Sequence, residues 1–191
     1  DYTGQVIKGY ELIEFIARGG FGAVYRALQP QVNREVAIKI ILPEYANRPD
    51  FIRRFEAEAQ MVARLEHPHI IPLYDYWRDA DGAYLVMRWL RGGSLRDVLK
   101  KGVWDAYAAS HLLDQITQAL YVAHINGIIH RDIKPDNILF GEHSNSYLAD
   151  FGIAKDNRVA NSTDPDLLLG SPAYLSPEQI RSEMVSPQSD V

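Results

Sequence analysis

Cysteine is absent from this sequence of 191 residues. Its absence excludes disulfide bonds, zinc sites with thiolate ligands and catalysis by a thiol. Long apolar runs are missing as well: no stretch reaches the roughly 18 residues that a membrane-spanning helix needs, so we expect no membrane segment here. No long basic run occurs and the net charge is −5, so we expect no nucleic acid partner.

The two ends of the sequence are those expected of a fragment. The first residue is Asp1 and not methionine, and no secretory signal pattern follows it. We expect this chain to be a cytoplasmic piece of a longer protein. A membrane anchor would then lie in regions outside this sequence. With 47% hydrophobic residues, the chain can bury a sizeable core as one domain or as two small ones.

The pattern of apolar residues changes along the chain. Short segments rich in β-branched and aromatic residues predict strands, and segments with apolar residues every three or four positions predict helices. Strands are predicted at 10–17, 23–29, 34–41, 70–77, 83–90, 138–140 and 147–149, and helices at 51–65 and 106–126, with a shorter one capped by Ser94. A strand-rich half therefore meets a helical half near residues 90–93.

Two charged residues lie on elements that otherwise look buried. Glu58 shares the apolar stripe of the helix at 51–65, and Lys39 lies in the apolar strand at 34–41. A carboxylate on a buried face needs a cation, so the two side chains are candidates for an ion pair. The alternative is that Lys39 extends to an edge of the sheet while Glu58 is marginally exposed. The pattern alone leaves both open.

Two glycine-containing segments are each ambiguous on their own. Residues 17–24, ARGGFGAV, would let backbone N–H groups approach an anion, or would form an ordinary tight hairpin. A strand follows them and not a helix, which argues against a dinucleotide-binding fold. Asp150 stands between a predicted strand and Gly152, where an acid serves as a metal ligand or as a turn residue.

The most informative segment is IIHRDIKPDNILF, residues 128–140, which holds charged groups between apolar flanks. Asp132 can accept a proton, Lys134 can neutralise a phosphate and Asn137 can hold a metal ion. The alternative is a structural pair of acids, Asp132 and Asp150, stabilised by a neighbouring arginine. The apolar flanks predict a rigid loop.

These segments occur in an order that resembles the eukaryotic-like serine/threonine protein kinases, of the bacterial type, over nearly the whole chain. Residues 17–24 are similar to the glycine-rich loop, VAIK to the strand with the phosphate-binding lysine, and HRDIKPDN to the catalytic loop. DFG resembles the metal site and SPE, residues 176–178, the end of the activation segment. Ala17 departs from the pattern, since the family has glycine there.

The resemblance implies an α+β, bilobal protein-kinase-like fold. Residues 1–89 would form the ATP-binding N-terminal lobe, a small antiparallel sheet with one key helix. Residues 90–191 would form a mainly helical C-terminal catalytic lobe, truncated at its end. Asp190 would bond the backbone of the catalytic loop. The family places further helices after this point at the centre of the lobe, and the sequence lacks them, so we expect the chain alone to be poorly stable or to aggregate.

The resemblance also assigns roles to the charged residues. It implies that Asp132 accepts or orients the proton of the substrate hydroxyl and that Lys134 stabilises the transferring phosphoryl group. Asn137 and Asp150 would hold Mg²⁺. Lys39 would contact the phosphates of ATP and pair with Glu58. The implied nucleotide contacts are Ile16, Gly19, Gly22, Val24, Ala37, Lys39, Met87, Arg88, Leu90 and Leu139, with Arg88 and Leu90 acting through their backbone.

Substrate class and regulation are implied as well. The position of Lys134, two residues after the catalytic acid, is that of serine/threonine kinases, so the implied substrates are proteins. Ser171 matches a residue that bonds the catalytic acid and lysine. Arg131 implies control by phosphorylation of Ser162 or Thr163, although exposed loops commonly contain such residues. A homodimer for autophosphorylation in trans is one implied partner, and the family assigns a structural role to His130.

Two other functions stay open at this point. One is a nucleotide-binding pseudokinase that acts as a scaffold or sensor, although the full set of catalytic side chains argues against it. The other is a phosphotransferase acting on a small molecule. Lys134 and the segment GSPAYLSPEQ, which in kinases docks a protein substrate, argue against this second function.

Overall fold

The computed structural model describes residues 1–142, 145–153 and 172–191. Its strands are β1 Val6–Ile7, β2 Tyr10–Gly19, β3 Gly22–Gln29, β4 Arg34–Ile41, β5 Leu73–Asp79, β6 Gly82–Arg88, β7 Ile138–Phe140 and β8 Ser146–Leu148. The α-helices are α1 Pro43–Ala46, α2 Pro49–Ala63, α3 Leu95–Leu99, α4 Ala106–Ile125 and α5 Pro177–Ile180. Short 3₁₀ turns lie at Pro30–Val32, Pro135–Asn137, Pro172–Tyr174 and Pro187–Asp190.

The chain divides into two compact units. The first unit holds residues 1–63 and 72–89, and the second holds residues 64–71 with the described residues from Leu90 onward. The first unit contains the strands β1 to β6 and the second contains α3, α4, β7 and β8. In the part of the chain that is described, no helix has both the length and the apolar character needed to cross a membrane.

The first unit is built on an antiparallel sheet with the strand order β1-β2-β3-β4-β6-β5. Side chains alternate between the two faces of each strand, so one face carries a set of buried apolar and aromatic residues. They are Tyr10, Leu12, Ala23, Tyr25, Ala27, Val36, Ile38, Ile40, Tyr84 and Val86. Tyr2 and Ile7, from the start of the chain, pack against this face, which the sequence pattern did not predict.

Helix α2 has the amphipathic stripe that the sequence predicts. Phe51, Phe55 and Val62 are buried, whereas Glu56 is exposed. The helix begins at Pro49 and ends at Ala63, while the prediction ran from 51 to 65. Proline suits the first turn of a helix because its missing N–H has no helical partner there.

The second unit is organised around α4, which ends as predicted at a glycine. Gly127 has φ +75°, a conformation that favours glycine. Its N–H donates to the carbonyl of His124 at 2.9 Å, and the N–H of Ile128 donates to Ala123 at 2.9 Å. These two bonds form a Schellman motif, which satisfies carbonyls at the helix end and turns the chain toward the next loop.

One predicted strand is divided between the two units. The apolar run at 70–77 was predicted as one strand, but β5 begins only at Leu73. Ile70 pairs with Leu148 of β8 in parallel, and the N–H of Ile71 donates to the carbonyl of Leu148 at 3.0 Å. Pro72 has no N–H to continue a ladder, which explains the break.

Candidate active site

One face of the sheet in the first unit gathers several of the predicted nucleotide contacts. In the ladders Val24 is opposite Lys39, and Ala37 is opposite Met87. Residues directly opposite each other share a face, as do residues two apart, so all four side chains lie on the same face. This face is opposite to the one that carries the buried apolar and aromatic residues described above. Ala37 is buried and the other three are half-buried.

The predicted glycine-rich loop is the hairpin between β2 and β3. Gly19 and Gly22 are directly opposite each other at its end. A side chain at Gly22 would place its Cβ only 1.8 Å from the carbonyl oxygen of Ile40, whereas no atom lies within 4 Å of a Cβ built at Gly19. Packing therefore accounts for glycine at position 22 and does not account for it at position 19.

Gly22→Ala is expected to lower the free energy of unfolding by about 1–3 kcal/mol, because the new methyl group must displace the β4 backbone. Gly19→Ala is the matched control, since its methyl group meets open space and φ is not positive. Its free energy of unfolding should stay the same or rise by about 0.4–1 kcal/mol. Urea denaturation of both variants measures the difference, and equal stabilities would contradict the packing explanation.

Lys39 and Glu58 lie within the first unit, on β4 and α2 respectively. Both are half-buried, and each interacts with a partner inside the molecule. The ion pair between them stays a prediction. A half-buried charge needs a polar or oppositely charged partner, as expected from the position of both residues on apolar elements.

The loop at residues 130–137, called here the HRD loop, brings together two predicted catalytic residues and one predicted metal ligand. Lys134 Nζ lies 3.0 Å from Oδ2 of Asp132. Asn137 Nδ2 donates to the same Oδ2 and to the backbone oxygen of Asp132, both at 2.8 Å. The side chains of Asp132 and Lys134 are only 13% and 19% exposed, so the charges interact in a poorly solvated environment.

His130 is fully buried and its hydrogen bonds determine its tautomer. Its Nδ1 accepts from the N–H of Asp132 at 3.2 Å, which leaves Nε2 to donate to the carbonyl of Ala149 at 2.9 Å. Burial lowers the pKa of His130, so the ring is neutral. A neutral ring with both nitrogens bonded to backbone supports the HRD loop and is not available as an acid or base.

Asp150 lies where β8 leads into the DFG segment and is held close to the HRD loop through its neighbours. The N–H of Ala149 donates to the carbonyl of Asn137 at 2.9 Å, and the N–H of Gly152 donates to that of His130 at 3.1 Å. Asp150 has φ +62° and Arg131 has φ +66°. Non-glycine residues in this conformation are uncommon and cluster at functional sites.

Asp190 bonds the backbone of the HRD loop, as the family resemblance implies. Its Oδ1 accepts from the N–H of Arg131 and its Oδ2 from the N–H of His130, both at 2.8 Å. His124 Nε2 lies 2.7 Å from Oδ2, a contact that the sequence did not predict. The amide of Gln179 donates to the carbonyl of Arg131 at 2.9 Å. The backbone around Arg131 is thus fixed from both sides.

The residues predicted to hold Mg²⁺ have oxygen atoms that suit the ion as ligands. Asn137 uses its Nδ2 for Asp132, so its amide oxygen is the atom left for a ligand, and Asp150 provides a carboxylate. Magnesium prefers such hard oxygen ligands and is commonly held by few protein groups together with substrate phosphates. Among the described residues, no cluster of three or more His, Asp or Glu side chains forms a metal site of its own.

The remaining predicted residues are placed as follows. Ile16 lies on β2 and is 38% exposed, Leu90 is buried, and Leu139 is half-buried on β7. Arg88 is the exposed last residue of β6, and its N–H donates to the carbonyl of Pro72 at 3.2 Å. The regulatory candidates Ser162, Thr163 and Ser171 lie outside the described residues.

Two contacts of the second unit have no counterpart among the sequence predictions. Arg96 of α3 binds Asp136 in a bidentate ion pair, which lowers the pKa of Asp136. Gln115 of α4 accepts from both the N–H and the hydroxyl of Ser146, at 2.8 and 2.5 Å. Both contacts join residues more than thirty positions apart, and no local pattern marks them.

The chain is similar to bacterial kinases along almost its entire length. Relatives at 40% identity include the serine/threonine-protein kinase PrkC of Bacillus subtilis over 98% of the chain, and PknL and PknA of Mycobacterium tuberculosis over 92% and 99%. The chain spans 29%, 44% and 46% of the length of these three relatives.

Solved structures with a similar fold include a kinase domain. The kinase domain of Mycobacterium tuberculosis PknI matches with a TM-score of 0.80 and 26% identity, over 98% of this chain and 71% of that one. Rad53 1–466 in complex with AMP-PNP matches with a TM-score of 0.75 and 30% identity, over 92% of this chain and 43% of that one. These neighbours confirm the predicted α+β kinase fold class.

A family model confirms the resemblance that the motifs indicated. The model described as the protein kinase domain matches residues 10–191, from the start of β2 to the last residue. The match includes the glycine hairpin, Lys39, Glu58, the HRD loop and Asp150. The chain therefore belongs to the protein kinase family, and the relatives that it matches are serine/threonine kinases.

Proposed function

We propose that the chain transfers the γ-phosphoryl group of Mg-ATP to serine and threonine hydroxyls of proteins. The arrangement that carries the proposal is the HRD loop, where one oxygen of the half-buried Asp132 carboxylate accepts from both Lys134 and Asn137. The three groups are a base, a cation and a metal-ligand amide, which is the set that phosphoryl transfer requires. The names of the relatives support proteins as the substrate class.

The proposed roles follow from the chemistry of each group. Asp132 orients the substrate hydroxyl and accepts its proton, and its contact with Lys134 fixes the position of its carboxylate. Lys134 stabilises the charge on the transferring phosphoryl group. Asn137 and Asp150 would hold Mg²⁺, which when bound neutralises charge on phosphate oxygens. The Asn137 bond to Asp132 links the metal ligand and the base in one rigid unit.

The first unit is proposed to bind the nucleotide. The N–H groups of the hairpin at Gly19 and Gly22 would approach the phosphates, and Lys39 would contact the α- and β-phosphates while Glu58 orients it. Ile16, Val24 and Ala37 of this unit would contact the adenine, with Met87 at the back of the pocket. Arg88 would bond the edge of the base through its backbone. Because the N–H of Arg88 already donates to Pro72, its carbonyl is the group proposed for that contact.

Regulation is proposed to act through Arg131. A phosphate on Ser162 or Thr163 would bind its guanidinium bidentately and so stabilise the HRD loop, and Ser171 would bond Asp132 and Lys134. A phosphate added in trans would require two copies of the chain to meet, and hence a transient homodimer.

The test is phosphoryl transfer by the full-length protein that contains this chain. With Mg²⁺, γ-labelled ATP and a generic basic protein, we expect label on serine and threonine. Asp150→Asn should abolish the label, because the amide removes the negative charge that holds the metal. Phosphopeptide mapping of the labelled protein then shows whether Ser162 or Thr163 is modified.

A folded protein that binds Mg-ATP and transfers no label would refute this proposal and favour a nucleotide-binding scaffold. Label on a small metabolite with none on protein would instead indicate a small-molecule phosphotransferase. Circular dichroism of both proteins serves as the control, since a misfolded Asp150→Asn variant would also lack activity.

A further inference from the structure

Arg96 and Asp136 connect helix α3 to the HRD loop. Arg96 Nε donates to Oδ1 of Asp136 at 2.6 Å, and Nη2 donates to Oδ2 at 2.8 Å. Two parallel bonds between a planar guanidinium and a carboxylate fix direction as well as distance. The roles proposed above for the HRD loop do not use this pair.

The start of α3 is itself joined to β7, the strand that follows the HRD loop. The N–H of Gly92 donates to the carbonyl of Phe140, and the N–H of Phe140 donates to that of Gly93, both at 2.9 Å. Ser94 and Leu139 form a further antiparallel bridge. A Cβ at Gly92 would lie 2.4 Å from the carbonyl oxygen of Phe140, so the two backbones approach as closely as glycine permits.

The first turn of α3 is also held by its cap. The N–H of Asp97 donates to Oγ of Ser94 at 3.2 Å, and the N–H of Ser94 donates to Oδ2 of Asp97 at 3.1 Å. This reciprocal pair is a capping box, which satisfies two backbone donors at the helix start. Arg96 lies within this first turn and therefore extends from a fixed backbone.

Asp136 lies in the 3₁₀ turn that holds the proposed metal ligand. The N–H of Asn137 donates to the carbonyl of Lys134 at 3.0 Å and closes the turn, while its side chain donates to Asp132 at 2.8 Å. Asp136 is the residue directly before Asn137, so a bond that holds Asp136 also limits the movement of Asn137. The backbone ladder at Phe140 and the ion pair at Asp136 hold this segment at two points.

We infer that Arg96 is a positioning residue for phosphoryl transfer, which holds the turn of Asn137 in place through Asp136. The inference rests on the proposed function. The two side chains are 40% and 41% exposed, and an ion pair this exposed contributes little to global stability. Its effect is expected in the geometry of the reacting groups, where small displacements have large consequences for rate.

The experiment compares Arg96→Met with Lys100→Met in the full-length protein. Lys100 lies at the end of α3, is 70% exposed and pairs with Asp97 at 3.6 Å. Its variant is a matched control because it also removes a basic side chain that pairs with an aspartate. We expect Arg96→Met to lower the single-turnover transfer rate about tenfold. Lys100→Met should keep the rate within about twofold, and neither variant should shift the Kd for Mg-ATP beyond about twofold. Arg96→Lys should be intermediate, since lysine makes one bond where arginine makes two.

Amide hydrogen exchange provides a second measurement that does not need activity. The N–H groups of Asn137 and Ala149 should exchange faster in Arg96→Met and at the unchanged rate in Lys100→Met, because both bonds involve the turn at Asn137. If the unsubstituted protein transfers no phosphate, the proposed function fails, and this measurement still decides whether Arg96 positions the turn.

Two results would overturn the inference. One is an Arg96→Met protein that matches Lys100→Met in both transfer rate and exchange. The other is a loss of transfer that simply follows a lower folded fraction, seen as a lower Tm with faster exchange throughout the second unit. In that case Arg96 has a general structural role.

Discussion

Asp190→Ala is expected to lower the free energy of unfolding by about 3–5 kcal/mol, among the largest effects of any single substitution in this chain. The carboxylate is fully buried and is bonded by His124, His130 and Arg131 at 2.7 to 2.8 Å. Alanine removes the acceptor of all three donors, and a buried donor left unsatisfied costs about 1–3 kcal/mol. Urea denaturation of the full-length protein, followed by circular dichroism, measures the change.

Asp114→Ala is the matched control for this prediction. Asp114 is exposed on α4 and accepts from Gln118 at 2.9 Å, so its loss should change stability by no more than about 0.5 kcal/mol. An Asp190→Ala protein as stable as this control would show that the buried network does not hold the HRD loop. Asp190→Asn should also be strongly destabilised, because its amide group would face backbone donors that need an acceptor.

The strands and helices that were predicted well have signals within a few residues. β4 was predicted with its observed ends, Arg34 and Ile41, because a run of β-branched residues follows a polar turn. The end of α4 was predicted from Gly127, which supplies the positive φ of the Schellman motif. In both cases the residues that determine where the element ends lie within it or directly beside it.

Contacts between distant residues were predicted less well. Ile70 and Ile71 have the pattern of a strand that continues into β5, yet they bond Leu148, far along the chain. Similarly, no local pattern distinguishes Arg96 from any other arginine of a short helix. Its partner lies forty positions away, and the backbone bonds between Gly92, Gly93 and Phe140 bring the two segments together.

The candidate site shows the same division. The cluster of Asp132, Lys134 and Asn137 is local, so the charged segment between apolar flanks indicated it, while the alternative of a structural pair of acids stayed open until the family resemblance was considered. The Asp190 contact was predicted only through the family resemblance, and the additional bond from His124 was not predicted at all. Backbone strain at Arg131 and Asp150 is also invisible in the sequence, since it depends on bonds that form after folding.

The second large effect is expected at the proposed base. Asp132→Asn should slow phosphoryl transfer by about 10²–10⁴-fold, because an amide cannot accept the proton of the substrate hydroxyl. The amide is close to isosteric and can still accept from Lys134 or Asn137, so the loop should keep its fold. Single-turnover transfer by the full-length protein measures the rate, and equilibrium binding measures the Kd for Mg-ATP, which should change by no more than about threefold.

Asp114→Asn, the same substitution at an exposed site, should leave both quantities unchanged. An Asp132→Asn transfer rate within tenfold of that of the unsubstituted protein would rule out Asp132 as the proton acceptor, and a parallel loss of ATP binding would point to a damaged loop.

Lys134→Met provides the decisive comparison, because the Lys134 ammonium bonds the Asp132 carboxylate at 3.0 Å. Residues that act as a unit are not additive, so the double variant should be about as slow as the slower single variant. Rate losses that multiply in the double variant would mean that the two residues contribute independently to transfer.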